Sequence, residues 1–276
     1  MLLPYDSARH GERMGAGPSH LVSHGMLERL RTAGHRTTVT ELAPATGSWV
    51  AEIGTAFDLD RQLAASVAAT VARGAFPITL AGNCISSVGT IGGLGAGPVG
   101  VLWFDAHGDF NTPETTVGGF LDGMALAVAT GRCWTGLAAN VPGFAPVAEE
   151  NVVLVGARDL DPAEAELLRA SGVEQLPPDA PVARIASAIG ALARRARRLY
   201  VHVDLDVLDA AEGRANGYVE GRGISLAGLL AAIDAAGARC PIAAGAITAY
   251  DPAYDRDGRV CAAAIEIALA LAAAAR

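Results

Sequence analysis

The stretch Val99-Gly100-Val101-Leu102-Trp103-Phe104-Asp105-Ala106-His107-Gly108-Asp109 decides the fold. An apolar run ends abruptly in acids, and Leu199 to Val203 followed by Asp204-Leu205-Asp206 repeats the pattern. Aspartate is disfavoured inside strands, so each run reads as a buried strand whose carboxyl end carries the acids. Side chains at i, i+2 and i+4 of an extended chain point the same way. Asp105, His107 and Asp109 then converge on one side, and Asp204 and Asp206 on one side of a second strand. Carboxylates and an imidazole gathered in this way repel and desolvate one another unless cations sit among them. The pattern calls for divalent metal, and for two ions rather than one.

Around these runs, strand candidates alternate with longer helical stretches. The strands are read at 78–81, 99–105, 151–156, 199–204 and 242–249. The helices are read near 19–33, 61–73, 86–94, 121–130, 162–171, 182–197, 225–235 and 262–275. This order predicts an α/β fold: three αβα layers around a mostly parallel sheet, as one domain over 1–276. Strands that are apolar throughout fit a sheet covered on both faces. Ligands of such sheets bind beyond the carboxyl ends of the strands, where both acidic clusters fall.

With 276 residues, 51% of them hydrophobic, the chain can build a sizeable core. A net charge of −8 argues against a nucleic-acid partner. The basic run Arg194-Arg195-Ala196-Arg197-Arg198 reads as the end of an Ala-rich helix, where cations suit the helix dipole. The four cysteines, Cys84, Cys133, Cys240 and Cys261, are scattered and form no C-x-x-C pair. With no signal-peptide pattern at the start, they read as reduced thiols of a cytoplasmic protein. No apolar run is long enough to span a membrane. Gly92 to Gly97 follows a helix rather than a strand, so it fails as a dinucleotide loop.

Asp105 to Asp109 resembles the "DAHxD" motif of the ureohydrolase (arginase and agmatinase) superfamily, and Asp204 to Asp209 its "DxDxxD" motif. Gly15-Ala16-Gly17-Pro18 is similar to the family's early glycine-rich turn. The resemblance implies an arginase-like fold and two Mn²⁺ ions sharing a hydroxide. It implies that Asp105 and Asp204 bridge the ions, that Asp109 binds one of them, and that His107 and Asp206 bind the other. Where the family has Gly-Gly-Asp-His-Ser, this chain has Ala81-Gly82-Asn83-Cys84-Ile85, so Cys84 is expected to complete the shell beside Asp109. A thiolate there would weaken that ion's Lewis acidity and favour Zn²⁺. The competing readings are a structural Ca²⁺ or Mg²⁺ site and an inert buried cysteine.

Substrate residues carry over likewise. Asn111 stands where arginases read an α-carboxylate, and Asp161 where they hold the α-amino group, with Glu164 behind it. Asp161 before Pro162 also reads as a helix cap. Two further positions depart from arginase. The family's proton-shuttling His is Asp122, and its guanidinium-facing Glu is Ala249. Without that charge and that shuttle, a strongly basic guanidinium is poorly served, whereas an N-hydroxyguanidine is far less basic. The chain therefore resembles most the Nω-hydroxy-L-arginine amidinohydrolases of D-cycloserine biosynthesis, which implies hydrolysis to L-ornithine and hydroxyurea. Asp109 would hold the hydroxide, and Asp122 or solvent would supply a proton. His202, two residues before Asp204, reads either as a donor behind a ligating carboxylate or as a replacement acid/base. The alternatives are another amidino hydrolase (arginase, guanidinobutyrase, formiminoglutamase) or a catalytically silent metal-binding homologue. The expected partner is a small amino-acid substrate, and the chain is expected to be a monomer.

Overall fold

A computed structural model describes residues 1–45, 51–218 and 221–275. Nine strands occur among them: β1 (Leu2–Leu3), β2 (Tyr5–Asp6), β3 (Arg9–His10), β4 (Ile78–Ala81), β5 (Val99–Phe104), β6 (Val152–Val155), β7 (Glu174–Leu176), β8 (Arg198–Asp204) and β9 (Ile242–Thr248). Seven form one sheet in the order β1-β4-β9-β8-β5-β6-β7. Every neighbouring pair in it is parallel. Strands β2 and β3 make a separate antiparallel hairpin.

Alternation along the strands builds a core on each face. Leu102, Phe104, Val201 and Val203 pack with Ile189, Ile233 and Ile267, from the helices Val182–Leu192, Leu226–Gly237 and Arg259–Ala274. Val101, Trp103 and Tyr200 pack on the other face with Leu63, Ile91 and Leu126. Those three come from the helices Glu52–Ala72, Ser87–Leu94 and Ala125–Ala129. Three αβα layers result, with the sheet dry on both faces, as a parallel sheet requires. No described helix is long and apolar enough to cross a membrane.

The register sets the site. β5 and β8 are adjacent, with Trp103 opposite His202 and Phe104 opposite Val203. The residues that follow, Asp105 on one strand and the chain from Asp204 on the other, leave the sheet side by side. β9 flanks β8 and pairs Thr248 with Asp204.

Several local expectations are corrected. The helix expected over 19–33 is two helices, Gly17–Ser23 and Met26–Thr32, because Gly25 takes φ 95° between them. The helix expected from Arg61 begins at Glu52. Asp58 and Asp60 disfavour that start locally, but tertiary partners compensate. Asp58 accepts from the Ala45 amide (2.6 Å) and Asp60 from the Gly89 amide (3.1 Å). The helix expected over 182–197 stops at Leu192. The arginine run thus straddles a turn and the start of β8, where Arg195 bonds Asn151 and Arg198 bonds the Gly95 carbonyl. The segment 121–130 is a 3₁₀ turn (Asp122–Met124) followed by the helix Ala125–Ala129. Strands β1 and β7 have two and three residues, too short for a periodic signal.

Gly156 leaves β6 at φ 105°, and a Cβ there would lie 2.6 Å from Val207 Cγ2 and 2.9 Å from the Asp105 carbonyl oxygen. Gly156→Ala combines a left-handed backbone with a clash against the strand end that carries Asp105. It should cost about 2 kcal/mol or more, read as a lowered midpoint in denaturant unfolding. A midpoint equal to the parent's would contradict this account of the turn.

Candidate metal centre

The acids at the strand ends are held by backbone and ring donors. Asp105 Oδ1 accepts from the His107 amide (2.7 Å), and Oδ2 from the Trp103 indole N–H (3.0 Å). Asp204 Oδ1 accepts from the Asp206 amide (2.9 Å), and Asp206 Oδ1 from the Ala106 amide (3.2 Å). The Ala106–Asp206 bond ties the two strand ends to each other, and the others fix each acid to its own strand end. His107 Nδ1 lies 3.4 Å from both Asp105 Oδ1 and Asp206 Oδ2. Cys84 opens the 3₁₀ turn Cys84–Ser86, and its thiol donates to Asp204 Oδ2 (3.0 Å). Asp109 sits in the left-handed region at φ 50°. Its Oδ2 is buried and has no hydrogen-bond partner among the described residues.

A cleft opens above these groups. Cys84, His107, Asp109, Asn111, Asp122, Asp161, Glu164, Asp204 and Asp206 all line it, so nine of the residues singled out in the sequence meet in one place. Asp105 forms the buried floor. The chain contains no lysine, and no arginine among the described residues lines the cleft. Burial, reinforced by neighbouring carboxylates, pushes Asp105, Asp109 and Asp204 above the ordinary carboxylate range. Burial and the same carboxylates raise the Cys84 thiol. Burial opposes both members of the His107–Asp206 pair, yet their mutual attraction raises the imidazole and lowers the carboxyl.

This donor set fits divalent metal. Asp105, His107 and Asp206 offer ligand atoms within 4.8 Å of one another, and so do Cys84, Asp105 and His202. The orphaned Asp109 Oδ2 has the surplus lone pairs that a cation would take.

The same cleft carries the other candidates. Asn111 Nδ2 donates to Asp161 Oδ2 (3.1 Å), and Thr115 donates to Asn111 Oδ1 (3.0 Å). Asp161 makes no side-chain cap on the helix Pro162–Arg169, so its carboxylate faces Asn111 instead. Glu164 Oε1 accepts from the Phe110 amide (2.8 Å), and burial pushes its carboxyl up to about 7. Asp122 accepts from Asn83 Nδ2 and from the Ile85 amide, each at 2.9 Å, and burial raises it to about 7.

His202 is placed differently from a replacement acid/base. It is fully buried, does not line the cleft, and stacks on Trp103 at 3.7 Å and 13°. Its Nδ1 meets the Tyr200 hydroxyl (2.7 Å) and its Nε2 the Thr248 hydroxyl (3.2 Å). The structure also adds residues that the sequence reading missed. Asn216 ties Asp206 Oδ2 (3.2 Å) to the Ala249 carbonyl (2.9 Å), and Phe120 and Tyr218 face each other at the rim. Trp103 could have been found from its place two residues before Asp105. Asn216 and Tyr218 lie in a loop with no periodic signal.

The arginase family matches residues 2–273, and the chain belongs to that family. It is 31% identical over 184 residues to an arginase from Bacillus caldovelox, covering 62% of this chain and 61% of that protein. It is 43% identical over 110 residues to an N(omega)-hydroxy-L-arginine amidinohydrolase from Streptomyces lavendulae, covering 40% of this chain and 36% of that protein. The chain thus aligns with about three fifths of the length of the curated arginase (61%). The crystal structure of arginase from Bacillus cereus superimposes with a TM-score of 0.88 at 26% identity, covering 98% of this chain and 96% of that one.

The raised carboxyls give a signed pH dependence. Asp122 and Glu164 stand near about 7 in the fold, against about 4 in the unfolded chain. Their contribution is fully present below the unfolded value and is lost as pH rises through the folded value. The raised Asp109 and Asp204 carboxyls act with the same sign. Metal-stripped protein should therefore melt at a lower temperature at pH 8 than at pH 5.5. Added Mn²⁺ should raise the midpoint more at pH 8, because it favours the ionised carboxylates. Thermal melts in chelator and in Mn²⁺ test this. A metal increment that fails to grow with pH would contradict it.

Proposed function

We propose that the chain is a metal-dependent hydrolase of a guanidino amino acid, and that its preferred substrate is Nω-hydroxy-L-arginine, cleaved to L-ornithine and hydroxyurea. The observation that carries this reading is the pairing of two ends in one cleft. One end gathers Cys84, Asp109, Asp204 and Asp206 around buried Asp105. The other presents Asn111, Asp161 and Glu164. Two further positions favour the less basic hydroxyguanidine. Ala249 lines the cleft with a methyl group and no charge, and Asp122, rather than an imidazole, is the acid that faces it. The Streptomyces relative named for Nω-hydroxy-L-arginine supports the same choice.

Cys84, Asp109, Asp105 and Asp204 would hold one divalent ion, and His107, Asp206, Asp105 and Asp204 the other, with Mn²⁺ as the expected metal. Bound there, the pair would supply Lewis acidity and an ionised water near neutral pH. The protein's own groups do the rest. Asp109 holds the attacking water through the carboxylate oxygen that the ion leaves free. Asp161 and Asn111 fix the amino-acid end, so that the reacting carbon lies over the floor. Asp122, whose carboxyl is raised by burial, faces the cleft and gives its proton to the departing δ-amine as the C–N bond breaks. Water adds across that bond, and ornithine and hydroxyurea leave.

A second reading, arginase, is favoured by the longer alignments to curated arginases. A substrate panel separates the two. The Mn²⁺-loaded protein should turn over Nω-hydroxy-L-arginine with a kcat/KM at least about tenfold above that for L-arginine, which is a difference of about 1.4 kcal/mol in transition-state binding. Equal or faster release of urea from L-arginine would overturn the hydroxyarginine assignment.

Variants test the roles. Asp161→Asn should raise KM by about 10–100-fold, the worth of a charge-assisted bond to the amino group. Asp122→Asn should lower kcat while leaving KM near the parent value. An Asp122→Asn enzyme with undiminished kcat would remove that residue from the proton path.

A further inference from the structure

Beneath the floor, a line of buried polar groups runs to Cys84 without entering the cleft. The Tyr200 hydroxyl lies 2.7 Å from His202 Nδ1. His202 Nε2 lies 3.2 Å from Thr248 Oγ1, and Thr248 Oγ1 lies 3.2 Å from Cys84 Sγ. Tyr200, His202, Thr248 and Cys84 are all buried. The Trp103 ring, stacked on the imidazole at 3.7 Å, keeps His202 from turning.

The contacts fit a chain of donors that runs toward Cys84. In that arrangement the Tyr200 hydroxyl donates to Nδ1. A neutral imidazole with Nδ1 as acceptor carries its proton on Nε2. Nε2–H therefore donates to Thr248 Oγ1, which leaves the single hydroxyl proton of Thr248 free to point onward. Two acceptors stand within its reach, Cys84 Sγ at 3.2 Å and the Val203 carbonyl at 3.4 Å. A sulfur that has lost its proton to a bound cation is the stronger of the two, because bonds to an ionised acceptor are about twice as strong as neutral ones.

We propose that Tyr200, His202 and Thr248 form a hydrogen-bond relay ending on Cys84 Sγ, and that this relay orients the sulfur toward the neighbouring ion's site and sets how tightly that ion is bound. His202 and Thr248 are positioning residues, since neither touches the substrate. The proposal rests on the reading of Cys84 as a metal ligand. Asp105 is gripped from the same layer by the Trp103 indole, so the stacked pair Trp103–His202 supports both sides of the site.

Co²⁺ titrated into the metal-stripped protein is the test, read by the sulfur-to-cobalt charge-transfer absorption rather than by turnover. The parent should show the band and Cys84→Ala should lack it. A parent without the band would reject Cys84 as a ligand, separately from the relay. Thr248→Val keeps the shape of the side chain and removes the hydroxyl. It should move the band to longer wavelength, because the sulfur lone pair loses its donor, and weaken that ion by about 10–100-fold. Thr248→Ser should restore both. His202→Phe should move the band in the same direction although the hydroxyl remains, and Tyr200→Phe serves if His202→Phe does not fold. A band that stays at the parent wavelength in Thr248→Val would overturn the relay. A band moved by Thr248→Val but by neither His202→Phe nor Tyr200→Phe would remove the histidine from it.

Discussion

Mutual repulsion among buried carboxylates is the constraint on which the rest of this structure depends. Asp105, Asp109, Asp204 and Asp206 sit at the carboxyl ends of two inner strands, nearly closed to solvent, and His107 is the one titratable base among the described residues lining their cleft. One imidazole cannot balance four acids. Its attraction lowers Asp206, while Asp109 and Asp204 stay raised. Such a cluster is relieved by protonation or by positive charge from outside the chain, and it needs a scaffold rigid enough to hold the acids together.

The parallel sheet supplies that rigidity. β5 and β8 run side by side, and their first residues beyond the sheet are tied by amide bonds, His107 to Asp105, Asp206 to Asp204 and Ala106 to Asp206. Each bond also partly satisfies a carboxylate, which limits the cost of burying it. Backbone strain collects in the same place. Asp109 at φ 50° and Ala249 at φ 59° are both non-glycine residues in the left-handed region, and both line the cleft. Strain of this kind, about 1–3 kcal/mol per residue, persists where neighbours over-determine the conformation. Here the Asp109 carbonyl accepts from the Ala127 amide and the Ala249 carbonyl from Asn216, so tertiary bonds hold both turns.

The layers, the five longer strands and the acids at the strand ends were legible in the sequence from local rules, whereas Cys84, Asn111, Asp122, Asp161 and Glu164 were legible only through the family resemblance. An apolar run ending in Asp-x-His-x-Asp is a buried strand with a ligand cluster whatever surrounds it. What could not be read came from tertiary choices. The helix from Glu52 crosses aspartates whose partners, Ala45 and Gly89, lie outside it. The Arg194–Arg198 run was legible as charge but not as a junction between a helix and β8. Asp161 satisfied the local logic of a cap, yet Asn111, fifty residues earlier, takes its carboxylate. His202 carried a signal in its spacing from Asp204, but the side on which it works depends on Tyr200 and Thr248 and on the stack with Trp103.

The most direct test of the central claim is anomalous diffraction at the manganese edge from crystals of the Mn²⁺-loaded protein. The account predicts two peaks with Asp105 and Asp204 between them, one beside Cys84 and Asp109 and the other beside His107 and Asp206. A cleft in which those carboxylates stay ordered with no anomalous peak among them would contradict it.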